Sequence, residues 1–187
     1  MNTPANIHSE KIILGMDPGT SVMGYGVLLV RGNKLNIIQY GVIHLSKYAT
    51  HELKLKKIFE RVIGIIEDFN PDEVALEAPF YGKNVQSMLK LGRAQGVAMA
   101  AALSKEIPIT EYAPKKVKQS VTGNGNASKE QVANMLKSIL KFTEDPKLFD
   151  ATDALAVALC HHYNGNSKTK KNKSWKSFVT DNPSRLK

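Results

Sequence analysis

Four carboxylates stand where chemistry is easiest to build. Asp17 closes the short apolar run 12–16 and opens Asp17-Pro18-Gly19, while Glu77 closes a second run, Val74-Ala75-Leu76. Asp150 and Asp153 are three apart, a spacing that puts both on one face of a helix. The almost wholly apolar run 154–159 follows them. Each acid has a plainer explanation. Asp-Pro-Gly is a turn former, an acid at a strand end can simply be solvated, and acids at a helix start complement its dipole. Together they point to a site. Open α/β sheets place their sites beyond the carboxyl ends of strands, where Asp17 and Glu77 fall. Like charges crowded there repel unless a cation lies among them or one proton is retained. Hard oxygen donors, without a cysteine or histidine cluster, select Mg²⁺ or Mn²⁺ over zinc. Two such ions would clamp the attacking water and the leaving oxygen of an in-line phosphoryl displacement.

The elements that must hold these acids are legible from their patterning. Residues 12–16 read as a buried strand ended by its turn. Runs 24–30 and 35–45, rich in Val, Ile, Leu and Tyr, flank Arg31-Gly32-Asn33-Lys34 and predict a hairpin, so the first three strands form an antiparallel meander. Leu55, Ile58, Phe59, Val62, Ile65, Ile66 and Phe69 follow helical spacing up to Asn70-Pro71. A strand at 74–77, an Ala- and Gly-rich helix at 84–105 and a strand at 107–112 come next. Helices at 128–140 and about 147–163 complete the order βββαβαβαα. Ser128 and Gln131 make the capping box of the first of these. The fold class is α/β with a mixed sheet. The small residues Gly92, Ala94, Gly96, Ala98, Ala100, Ala101 and Ala102 let another backbone approach their helix, whether the sheet or a second subunit.

Composition narrows the class of partner. The chain has 187 residues, enough for one domain and a tail. Its single cysteine, Cys160, excludes a disulfide framework and fits a reducing, cytoplasmic setting. Residues 1–10 read as no signal peptide, and no apolar stretch approaches the ~20 residues that span a bilayer, so a membrane is not expected. The net charge is +9, but seven bases and one acid lie in residues 164–187. The expected organisation is an N-terminal extension at 1–10, a domain at 11–163 and a basic, flexible tail at 164–187. Such a tail gives salt-sensitive affinity for phosphate backbones, or merely solubility.

The sequence resembles the RuvC family of bacterial Holliday-junction resolvases. The resemblance runs in unbroken order through residues 13–20, Gly24-Tyr25-Gly26-Val27, Leu76-Glu77 with Phe80 and Lys83-Asn84, Leu89-Lys90-Leu91-Gly92, Val117-Lys118-Gln119 and the run 150–156. It implies a ribonuclease-H-like fold and a homodimer with two Mg²⁺ ions per subunit, Mn²⁺ substituting. It implies symmetric nicking of four-way DNA junctions in recombination and repair, leaving 5′-phosphate and 3′-hydroxyl ends. It also implies a working partnership with the RuvA–RuvB branch-migration complex. Asp17, Glu77, Asp150 and Asp153 match the family's catalytic, metal-holding carboxylates. Phe80 matches a DNA-stacking phenylalanine, and Lys118 and Lys129 match DNA-contacting lysines; Lys83 and Lys115 join them as candidate DNA contacts. Ala78-Pro79 departs from the commoner amide after the glutamate. His161 and His162 read as helix-end residues.

Other readings are weaker. Asp17-Pro18-Gly19-Thr20 also resembles the phosphate turn of sugar-kinase and actin-like ATPases, but those need a second lobe that this chain lacks. A structural DNA binder of the same fold would gain nothing from four acids that repel DNA. A nuclease acting on RNA–DNA hybrids is the closest competitor.

Overall fold

A computed structural model describes residues 10–79, 84–143 and 149–165. Five strands form one sheet: β1 (Glu10–Asp17), β2 (Val22–Arg31), β3 (Lys34–His44), β4 (Glu73–Glu77) and β5 (Ile109–Tyr112), in the order β3-β2-β1-β4-β5. β1–β2 and β2–β3 pair antiparallel, whereas β1–β4 and β4–β5 pair parallel. The sheet is therefore mixed, as expected for a ribonuclease-H-like α/β fold.

Helix α1 (His51–Phe69) begins where the Thr50 side chain accepts from the Leu53 N–H, and ends at Asn70 in the left-handed region. The other helices are α2 (Val85–Leu103), α3 (Pro114–Thr122), α4 (Lys129–Leu140) and α5 (Phe149–Gly165). The Ser128–Gln131 capping box opens α4, with both reciprocal hydrogen bonds made. Helix α3 is absent from the sequence-based order. It is short and lysine-rich, and only Val117 and Val121 are buried. Its apolar signal is thus one i, i+4 pair, although Pro114 at its start and the left-handed Gly123 at its end are ordinary boundary residues. Strand β5 starts two residues later than the pattern suggested.

Strand alternation sorts the core into two layers. Leu14, Met16, Met23, Tyr25, Val27, Val74 and Leu76 pack with α1 and the buried alanines of α2. Ile13, Leu28, Val30 and Ala75 face the other way, against α3, α4 and α5. Register slips by one residue opposite Val27/Leu28, where β3 carries an extra residue. That bulge resets the alternation, so Ile37 and Tyr40, three apart, both pack in the second layer. Period two also predicts that Asp17 shares a face with Ile13 and Gly15, and Glu77 with Ala75. That is the face α5 covers.

Helix α5 lies against the sheet with ten of its residues buried, at a separation that tolerates no side chain on three strand positions. A Cβ on Gly15 would fall 2.2 Å from the Ala154 carbonyl oxygen, and one on Gly24 would fall 1.9 Å from that of Asp150. One on Gly26 would meet the Leu155 side chain at 2.7 Å. Gly15 and Gly26 are cross-strand partners, as are Asp17 and Gly24. Glycine is thus present because α5 occupies the space, with its backbone at Gly15 and Gly24 and with the Leu155 side chain at Gly26.

Among the described residues, no helix is long and apolar enough to cross a membrane. Residues 1–9 and 166–187, which include nearly all of the expected extension and tail, lie outside the described set.

Candidate active site

The glycine seat of α5 assembles the acids. Gly24 stands opposite Asp17 in the β1–β2 register and holds the backbone of Asp150 directly over it. Asp153 follows on the same helical face. The carboxylates of Asp17, Asp150 and Asp153 each offer an oxygen, and these three oxygens lie within 4.8 Å of one another. Among the described residues no other cluster of potential metal ligands has this geometry.

Glu77 lies beside this trio, not within it. It shares a small cavity of about 90 Å³ with Asp17, Pro18, Ala78, Pro79, Leu91 and Gln95. Gln95, almost fully buried, points its amide at the end of β4. It donates to the Glu77 carbonyl at 3.4 Å and also to the Glu111 carboxylate. Those two residues belong to neighbouring strands, so Gln95 staples the strand ends that aim Glu77. An Ala- and Gly-rich helix gave no hint of such a role.

Electrostatics bind the four acids into one unit. Burial pushes Asp17 up to about 8, and repulsion from Glu77, Asp153 and Asp150 adds to it. Glu77 is raised to about 7, again chiefly by burial, then by Asp153; Lys129 and Lys118 oppose the shift. Crowding of this kind favours either a retained proton or a cation among the acids. The donors fit Mg²⁺ or Mn²⁺: all are hard oxygens, and oxygens around an octahedral Mg²⁺ sit roughly 3–4 Å apart, a spacing that small side-chain rotations would reach.

The protein supplies one cation itself. Lys129, the first residue of α4, pairs with Asp153 at 2.8 Å. Its ammonium is held charged first by that hydrogen bond, and Asp17 and Asp150 add to the field. Lys118 instead donates to the Ala127 carbonyl at 2.8 Å, tying α3 to the loop before α4. Lys115 lies exposed on α3, one residue into the helix. Phe80 and Lys83 lie outside the described residues.

His161 is more than a helix-end residue. It is 5% exposed, its Nδ1 meets the Tyr112 hydroxyl at 2.9 Å, and its Nε2 pairs with Glu73. Lys11 completes this group by an ion pair to Glu73 at 2.5 Å. Glu73 and Glu77 begin and end β4, so this contact pins the far end of α5 to the strand that carries Glu77. His161 and Glu73 are 88 residues apart in sequence, and no local pattern announces the pair.

Residues 13–161 match the family model for crossover junction endodeoxyribonuclease RuvC. A crossover junction endodeoxyribonuclease RuvC of Cytophaga hutchinsonii is 62% identical over 186 residues, covering 100% of this chain and 92% of that protein. One from Bacteroides fragilis is 60% identical, covering 95% and 97%. Among solved structures, T. thermophilus RuvC in complex with a Holliday junction substrate superposes with a TM-score of 0.79 at 33% identity, covering 85% of this chain and 97% of that one. The yeast mitochondrial Holliday junction resolvase Ydc2 shares the fold, with a TM-score of 0.58 at 16% identity over 88% of each chain.

Proposed function

The chain belongs to the crossover junction endodeoxyribonuclease RuvC family, and from that membership we propose that it resolves four-way DNA junctions by metal-dependent hydrolysis of one phosphodiester in each of two opposed strands. The observation that carries the chemistry is the trio Asp17, Asp150 and Asp153 with Glu77 beside it, a set of acids that repel one another until a cation arrives. Asp17, Glu77, Asp150 and Asp153 would hold Mg²⁺, with Mn²⁺ substituting and two ions in the working site. Bound there, the ions supply a water activated at neutral pH and neutralise charge on the leaving oxygen.

The chain's own residues do the positioning. Strand ends β1 and β4 and the seated helix α5 fix the four carboxylates, so little reorganisation is left for the reaction. Lys129, already in the field of these acids, is assigned to a backbone phosphate, and Lys115 and Lys118 on α3 are assigned to the approaching strand. Phe80 is assigned to stacking on an unpaired base from the family resemblance, and Lys83 is a candidate backbone contact beside it in sequence. Water attacks phosphorus in line, the bond to the 3′-oxygen breaks, and the products are a 5′-phosphate and a 3′-hydroxyl.

Resolution needs two matched cuts, and a two-fold dimer supplies equivalent sites. The outer face of α2 supports that reading. Val85, Leu89 and Leu103 are exposed along it, and a Cβ on Gly92 or Gly96 would meet nothing within 4 Å. The buried alanines Ala94, Ala98, Ala101 and Ala102 occupy the opposite side. We assign the open stripe to a second copy of the chain, and the assembled dimer to work with the RuvA–RuvB branch-migration complex.

The test is single-turnover cutting of a synthetic four-way junction, an RNA–DNA hybrid and a linear duplex, with and without Mg²⁺. Junction-selective, Mg²⁺-dependent cutting is expected. Asp17→Asn and Glu77→Gln should bind the junction at least as well as the wild type and not cut it. A cruciform-bearing plasmid should give linear product, not nicked circles. Near wild-type cutting by either variant would overturn the assignment.

A further inference from the structure

A second cavity adjoins the acids and shares Lys129 and Asp153 with them, and nothing above assigns it an occupant. It measures about 310 Å³, and its lining includes Lys129, Glu130, Ala133, Phe149, Thr152 and Asp153. Its size falls at the lower end for ligand pockets, and its make-up, an apolar wall with a few polar groups, is typical of them. Phe149 immediately precedes Asp150, at the start of α5, and stays 59% exposed. Phe149 thus leaves much of its ring in water beside Asp150, whereas every apolar residue from Ala154 to Leu159 is buried.

Two of the residues lining the cavity belong to the candidate active site. Asp153 is a member of the trio, and Lys129 is its ion-pair partner. A strand whose scissile phosphate lies at the trio therefore carries a neighbouring base to the mouth of this cavity. Ala133 and Phe149 offer that base an apolar floor and a ring, and the Lys129 ammonium offers the adjoining phosphate a counter-charge.

We propose that this cavity receives an unstacked nucleobase next to the scissile phosphate, with Phe149 as its stacking platform, so that Phe149 positions the strand for cutting. The proposal rests on the junction-resolving reading and adds to it a base subsite distinct from the stacking assigned to Phe80. Stacking on an aromatic ring is tolerant of base identity, so Phe149 anchors the strand whichever base stands there.

The test is a cross between protein and DNA. Junctions carry an abasic residue at each position within two nucleotides of the cut, and each is cut in single turnover by the wild type, Phe149→Ala and Phe149→Trp. At one position the abasic substitution should slow the wild type about 5- to 150-fold, the span that a base–aromatic stack covers. Phe149→Ala should lose a similar factor on intact DNA and nothing further at that position, and Phe149→Trp should recover most of it. With 2-aminopurine at that position, Asp17→Asn protein should change the probe's fluorescence on binding, and Asp17→Asn/Phe149→Ala should not. Wild-type rates for Phe149→Ala, or losses that simply multiply, would overturn the subsite and leave junction resolution standing. A wild type that cuts no junction would overturn both.

Discussion

Replacing Gly24 by alanine is the sharpest perturbation of the site that touches none of its ligands. The new Cβ would lie 1.9 Å from the Asp150 carbonyl oxygen and 2.5 Å from its carbon. Real Cβ contacts essentially never fall below 3.0 Å, so the first turn of α5 must retreat by about 1 Å or more. Overpacking of this kind costs about 1–3 kcal/mol, and the cost here falls on the helix turn that carries Asp150 and Asp153. A displacement of about 1 Å can cost 10²-fold in rate, so cutting should fall about a hundredfold while junction binding persists. The matched control is Gly64→Ala in α1, where an added Cβ meets nothing within 4 Å. It should stabilise the protein by about 0.5–1 kcal/mol, because glycine is a poor helix former, and leave cutting unchanged. Urea unfolding, single-turnover cleavage and Mn²⁺ titration of both variants separate the effects. If Gly24→Ala unfolds and cuts like the wild type, the close seat of α5 does not set the position of the acids.

The remaining predictions concern charge. Lys129→Met removes the resident cation, so Mn²⁺ should bind the DNA-free protein about two- to fivefold more tightly, the equivalent of an exposed ion pair worth up to ~1 kcal/mol; calorimetry showing unchanged or weaker binding would refute it. Asp17 and Glu77 titrate near 8 and 7 in the metal-free fold, well above their values of 3.8 and 4.5 in an unfolded chain. The folded state therefore holds more protons than the unfolded one, so their contribution to stability is complete below about pH 4 and is lost as pH rises toward 8. In EDTA the Tm should fall from pH 6 to 8.5, less steeply in Asp17→Asn, and Mg²⁺ should bind more tightly as pH rises through the same window because it displaces protons. A Tm in EDTA that rises over this range would contradict the assignment. Deleting residues 166–187 removes seven bases and one acid; the salt dependence of junction binding should become shallower while the cleavage step survives, and an unchanged slope would show that these residues do not contact DNA.

Local rules made much of the molecule legible before any tertiary structure. Short apolar runs marked β1 and β4 and located Asp17 and Glu77 at their ends, and runs rich in Val, Ile, Leu and Tyr marked β2 and β3. Three-residue spacing placed Asp150 and Asp153 together, and the Ser128–Gln131 box marked the start of α4. These features depend only on neighbours a few residues away, so sequence suffices for them. Helix α3 escaped because nine lysine-rich residues with two buried valines carry too little periodicity to compete with a loop.

What the sequence could not contain is the distance between elements. Gly15, Gly24 and Gly26 read as β-strand residues of no special note until α5 is laid on them, and only then does each become a contact with a helix backbone or side chain. Lys129 reads as a candidate DNA contact, and nothing in the sequence pairs it with Asp153, 24 residues on, which the fold brings within 2.8 Å. The same is true of Gln95, His161 and the exposed ring of Phe149, whose neighbours come from other elements. Residue types and spacing determine which groups are available and which way they face. Packing in three dimensions decides how closely like charges are forced together, and that crowding is what a bound cation would relieve.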